Sequence, residues 1–189
     1  MPRPDTQRDI GVAIGIPEPY TSELQGWRER LGDPNARDIP PHVTLLPPMS
    51  LRTADLHEVE EHLRRVAETS ESFVMHLRGS GTFRPISPVV FVPLAQGISE
   101  CELLEEGVRS GPLVRELSFP YHPHVTVAHD VAEPLLDEAF EELATYDARF
   151  RVWGFSLFEK GRDAVWRPQR DFPFGAPLPG PVLPPDLVG

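Results

Sequence analysis

Pro41-His42-Val43-Thr44-Leu45 and Pro123-His124-Val125-Thr126-Val127 agree at proline, histidine, valine and threonine, and each continues with an aliphatic residue. Both segments are rich in β-branched residues and read as short strands. Side chains alternate along a strand, so the histidine and threonine of each motif share one face and the two aliphatic residues the other. An imidazole, with an ordinary pKa of about 6.5, can take up or give away a proton near neutral pH. Cleavage of a phosphodiester needs one group that accepts a proton from the nucleophile and another that protonates the leaving oxygen. A threonine hydroxyl can donate to a nonbridging phosphate oxygen and hold it in line. Two His/Thr pairs facing one phosphate would meet all of these needs without a metal or a cofactor. His42 and His124 are therefore the candidate acid and base, and Thr44 and Thr126 the candidate phosphate ligands.

The surrounding elements repeat. Residues 10–16 read as an apolar strand stopped by Pro17, 18–31 as a helix ending at Gly32, and 42–46 as a short strand bracketed by proline pairs. A helix from Thr53 or Asp55 carries Leu56, Val59, Leu63 and Val66 at helical spacing, and 73–77 alternates as a strand. After turns at Gly79, Gly81 and Pro85 the order recurs: strand 89–94, helix 99–109, strand 124–128, helix 133–146 and strand 150–158, with a last strand near 164–166. Each half thus reads strand, helix, His-bearing strand, helix, strand. That pattern predicts an internal duplication within one pseudo-symmetric domain over residues 1–174. Residues 175–189 are proline-rich and are expected to form a flexible tail.

The paired His-x-Thr strands resemble those of the 2H phosphoesterase superfamily, which includes the bacterial 2′-5′ RNA ligase-like proteins. The resemblance runs from about Ile10 to Phe174 in element order, and the two motifs are its specific part. It implies an α+β fold of two lobes, with antiparallel sheets lining a central groove, helices outside, and both chain termini in one lobe. It further implies catalytic roles for His42 and His124, phosphate contacts for Thr44 and Thr126, and metal-independent action on 2′,3′-cyclic phosphates, 2′-5′ linkages or related small nucleotides. Reverse ligation would use the same site.

Composition narrows the partners. The chain has 189 residues with 18 Lys and Arg against 29 Asp and Glu, a net charge of −11. Long duplex nucleic acid is held chiefly by cations that neutralise phosphates, so a small nucleotide or a short RNA end is the better match. Cys101 is the only cysteine, which excludes an internal disulfide, and it is expected to face the core of a helix. No apolar run is long enough for a membrane helix and the N-terminus lacks a signal-peptide pattern, so a cytoplasmic monomer is expected.

Other residues carry weaker signals. Tyr121 and Phe83 could stack on a base, and Arg84 or Arg167 could help bind phosphate. Trp27, Trp153 and Trp166 are expected to pack. His57 and His62 are placed on the polar side of a helix, and His76 on a strand. His122 and His124 would project from one face of a strand, a geometry that can begin a metal site. No carboxylate stands at a fitting spacing, so no metal is assigned. Two other functions remain open at this point: a nucleotide-binding module without turnover, and a metal-dependent hydrolase built on His42, His122 and His124.

Overall fold

The computed structural model describes residues 7–175; the proline-rich stretch from 176 onward lies outside the described residues. Nine strands and four α-helices alternate: β1 Gln7–Gly15, α1 Tyr20–Arg30, β2 His42–Arg52, α2 Leu56–Glu68, β3 Phe73–Arg78, β4 Gly81–Thr82, β5 Val89–Gln96, α3 Ile98–Val108, β6 His124–His129, α4 Glu133–Glu142, β7 Asp147–Val152, β8 Gly154–Lys160 and β9 Trp166–Pro173. All strand pairings are antiparallel. One sheet has the order β2-β1-β8-β9. In the other, β5 pairs with β3, β4 and β6, and β7 pairs with β3. The first and last described strands therefore lie in the same sheet.

The duplication is visible in the pairing. β1 and β2 are antiparallel partners joined through α1, and β5 and β6 are partners joined through α3. The later strands cross over: β3 of the first half pairs with β5 of the second, and β8 of the second half pairs with β1 of the first. The helices cross too, since α1 touches β6 and α3 touches β2. A single apolar cluster runs from Ile10 to Phe174 and includes Val43, Leu45, Val125 and Val127, none of which has any exposed surface. Each such side chain contributes about 1.5–3 kcal/mol by leaving water, which anchors both His-bearing strands firmly to the core. Cys101 is buried in the same cluster, and this burial pushes its thiol pKa up to about 12.

Four expectations require correction. The first His-bearing strand does not stop at Pro47-Pro48 but continues to Arg52. β2 pairs only with β1, so it is an edge strand, where proline's missing N–H costs no ladder bond. Between Leu46↔Val12 and Met49↔Ile10, two prolines stand opposite Gly11 alone, forming a bulge. Next, the stretch read as one strand over 150–158 is two strands in different sheets, broken at Trp153. Gly154 stands where the chain enters the second sheet, and a Cβ there would overlap the Phe172 carbonyl oxygen. Trp153, expected to pack, is instead 45% exposed at the break. Lastly, His62 does not lie on a polar helix face; it is buried, with Nε2 at 3.1 Å from the carbonyl oxygens of Gly107 and Val108.

Candidate active site

β2 and β6 are both edge strands, and they meet where the two sheets approach one another. Their burial patterns coincide. His42, Thr44, His124 and Thr126 are half-buried, while Pro41, Val43, Leu45, Pro123, Val125 and Val127 are buried. The registers coincide as well. On β2 the pairing shifts between Thr44↔Ala13 and Leu46↔Val12, leaving Leu45 as the extra residue. On β6 it shifts between Thr126↔Phe91 and Ala128↔Val90, leaving Val127 extra. A bulge thus follows the threonine in both motifs. It places two buried residues in succession and bends the strand just beyond the hydroxyl.

The imidazoles are oriented alike. His42 Nδ1 lies 2.8 Å from the Pro40 carbonyl oxygen and His124 Nδ1 lies 2.6 Å from the His122 carbonyl oxygen. A carbonyl can only accept, so each Nδ1 carries the hydrogen and each Nε2 is left to exchange protons with a ligand. Among the described residues neither Thr44 nor Thr126 has a hydrogen-bond partner for its hydroxyl, so both are free to donate. Thr44, His124 and Thr126 line a cleft of about 690 Å³. His42 is on the same face of β2 as Thr44 and is close enough to His124 for their charges to oppose each other.

Both imidazoles resist protonation. Burial is the main cause for His42, with the positive charges of Arg28 and His124 adding to it against the pull of the Pro40 carbonyl; together they lower its pKa to about 4. Burial also lowers His124, opposed by the His122 carbonyl and assisted by the charge of His122. A bound anionic phosphate would reverse part of this effect, because opposite charge favours the protonated ring.

The remaining predicted residues divide. Phe83 and Tyr121 both line the cleft. Phe83 stands edge-on to His124, with centroids 5.0 Å apart at 87°, and Tyr121 donates its hydroxyl to the Thr44 carbonyl at 2.9 Å, tying the β6 approach to β2. Arg84 does not reach the cleft. Its Nη1 donates to Glu133 at 2.8 Å and Asp137 at 2.7 Å on α4, so two carboxylates already occupy it. Arg167 is held by Asp163. His122 stacks beside His124 at 5.9 Å, but no three His, Cys, Asp or Glu side chains among the described residues are grouped to hold a metal ion.

Five residues at or beside the site carry roles that the sequence reading missed. Arg28 is buried and ion-paired to Asp33 at 3.2 Å, and it also donates to the Asn35 and Ile39 carbonyls, fixing the loop that leads into His42. Phe91 underlies His124 at 5.0 Å. Arg115 lines the cleft, and the buried Glu105 holds Arg109, which in turn braces the Arg115 backbone. Asp33-Pro34-Asn35, directly after the α1 terminus, was the available sign of a loop needing an anchor.

A family model described as the 2′-5′ RNA ligase superfamily matches residues 16–164. The chain belongs to that superfamily. The resemblance to 2H phosphoesterases carried by the twin motifs is thereby borne out, as is the α+β fold with antiparallel sheets. A Bacillus cytotoxicus protein named "Putative phosphoesterase" is 24% identical over 168 residues, spanning 88% of this chain and 96% of its own length. A Bacillus mycoides protein of the same description is 23% identical over the same shares. The E. coli LigT structure without ligand superimposes with a TM-score of 0.67 at 19% identity, covering 90% of this chain and 99% of LigT. A Thermus thermophilus protein gives 0.59 at 22% identity, covering 89% and 100%. These structural likenesses establish the shared fold. None of the helices among the described residues is long and apolar enough to cross a membrane.

Proposed function

We propose that this superfamily member is a metal-independent phosphodiesterase that opens a 2′,3′-cyclic phosphate, or cleaves a 2′-5′ linkage, on a small nucleotide or short RNA end. The observation that carries this reading is the matched pair of bulged edge strands, whose Thr44, His124 and Thr126 line one cleft while His42 shares the face of β2 that carries Thr44 and lies near enough to His124 for their charges to interact. LigT structures containing 3′-AMP, phosphate, NADP+ and ATP support a small nucleotide as the ligand class.

His42 is the harder of the two rings to protonate in the empty site and serves as base in the hydrolytic direction. It removes a proton from water as the water oxygen bonds to phosphorus. His124, charged when the anionic substrate is bound, gives its proton to the 2′ or 3′ oxygen as the P–O bond to that oxygen breaks. Thr44 and Thr126 donate to nonbridging oxygens, where negative charge builds in the transition state. The opposite roles apply to ligation.

The test is a panel of 2′,3′-cyclic nucleotides and 2′-5′ dinucleotides incubated in excess EDTA, with products read by mass. Hydrolysis products in EDTA support the proposal. Calorimetric binding with no product after long incubation would assign a binding module instead, and activity lost in EDTA but restored by zinc would assign a metal-dependent hydrolase.

A further inference from the structure

Among the described residues, Arg115 is the only Lys or Arg whose side chain lines the cleft. Arg84, Arg109 and Arg167 are all held by carboxylates, whereas Arg115 pairs with none among the described residues. Its side-chain contacts among the described residues are long ones, from Nη1 to the carbonyl oxygens of Pro47 at 3.4 Å and Pro48 at 3.3 Å. Such contacts are weak, and they leave most of the guanidinium fork unused. Two carboxylates share the cleft wall. Glu105 is taken up by Arg109, and Glu116 is exposed at the rim. A fork left open in this way, in a chain of net charge −11, suits a phosphate or carboxylate ligand, which it can engage through two parallel hydrogen bonds.

The position of Arg115 is built rather than incidental. Arg109 Nη1 donates to the Arg115 carbonyl at 2.8 Å, and Arg109 is itself fixed by the buried Glu105. The loop therefore cannot swing freely away from the cleft at this residue. Arg115 touches β2 three to four residues beyond Thr44, which at strand rise is roughly 10 Å from the first His/Thr pair. The cleft wall between includes Phe83, Ile86 and Phe119, of which Ile86 is 80% and Phe119 69% exposed. Large apolar side chains left open beside a polar site are suited to cover by a ligand. A nucleoside with a phosphate at each end, its base on the apolar wall, could bring one phosphate to the His/Thr pairs and the other within reach of the long Arg115 side chain.

From this geometry we propose that Arg115 forms a second anion subsite, so that the preferred substrate is a nucleotide carrying a terminal 5′-phosphate in addition to the phosphodiester that reacts at the histidines. The inference rests on the phosphodiesterase reading for where the reacting group sits.

Adenosine 2′,3′-cyclic phosphate is compared with and without a 5′-phosphate, using wild type, Arg115→Gln and Arg115→Lys. Wild type should favour the 5′-phosphorylated form about tenfold or more in kcat/KM, mainly through KM, and added salt should narrow the gap. In Arg115→Gln the ratio of the two substrates should fall to near one, and Arg115→Lys should retain part of it. Equal kcat/KM for both substrates in wild type, or an unchanged ratio in Arg115→Gln, overturns the subsite. If neither compound is turned over, the phosphodiesterase reading is what fails. Calorimetry with the same two compounds then decides the subsite alone: tighter binding of the 5′-phosphorylated form, lost in Arg115→Gln, supports it, and equal binding refutes it.

Discussion

Around His42 the neighbours are backbone carbonyls and a buried cation, whereas around His124 they are rings. The loop before His42 is held by Arg28, only 4% exposed, through Asp33 and the carbonyls of Asn35 and Ile39. His124 instead sits among Phe83, Phe91 and His122, all with centroids within 6 Å. The local motif is the same in both places, down to the Nδ1 anchor and the bulge after threonine. What differs is the nature of the surroundings. Arg28 and His124 both repel a proton from His42, whereas the opposing charge beside His124 is that of His122. Two strands that are equivalent by duplication are therefore not equivalent in acidity, and the proposed mechanism, which needs one neutral and one charged imidazole, would draw on that difference.

The comparison breaks most directly by removing each ring. His42→Ala and His124→Ala should each lower turnover on a cyclic phosphate by about 10²–10⁴-fold, measured under saturating substrate in EDTA. Near wild-type turnover in either variant would show that the two strands do not share the chemistry. The pH profile sharpens the assignment. Under the proposed mechanism the productive form of the free protein has His42 neutral and His124 protonated. kcat/KM should rise with pH through about 4 as His42 loses its proton. It should fall again as His124 loses its own, at a pKa below its ordinary value. The optimum therefore lies on the acid side of about 6.5. His42→Ala should flatten the acid limb and His124→Ala the alkaline one; the reverse pattern would exchange their roles.

Smaller effects probe the hydroxyls and the aromatic wall. Thr44→Val and Thr126→Val keep the β-branched shape but remove a donor. Each should reduce kcat by about 10- to 100-fold with little change in melting temperature. Unequal losses would locate the side on which charge develops more strongly. Gly81→Ala acts on the His124 side alone, because a Cβ at position 81 would lie 2.6 Å from the Phe91 ring. Displacing that ring should cost about 1–3 kcal/mol in stability and lower kcat a few-fold. The alkaline limb governed by His124 should shift while the acid limb stays in place, as read from chemical denaturation and the pH profile.

The motif residues were legible because they obey period-two alternation, and their duplication made the pattern hard to miss. Most strands were legible for the same reason, and most helices from apolar residues recurring every three to four positions. The break at Trp153 was missed: the apolar positions change phase there, from Phe150 and Val152 to Phe155 and Leu157, and such a shift marks a bulge within one strand as readily as a passage between sheets. β9 was underestimated because it is an exposed edge strand, Trp-Arg-Pro-Gln-Arg-Asp-Phe-Pro, with little apolar patterning. Arg84 and Arg115 could not be ranked from sequence, because whether an arginine is free depends on which carboxylates the fold brings to it. His62 was misplaced because its helix packs against the 107–111 segment on a side that hydropathy alone does not mark as buried.

The order of amino acids by itself determined that two strands would each carry an imidazole and a hydroxyl on one face, since the backbone's geometry sends alternate side chains to opposite sides. Only the tertiary structure decided that these strands would be the outer edges of two different sheets, brought together by the exchange of later strands and helices between the halves. It also decided how readily each ring takes a proton, because burial and neighbouring charge are properties of the assembled surroundings and are not carried by the motif.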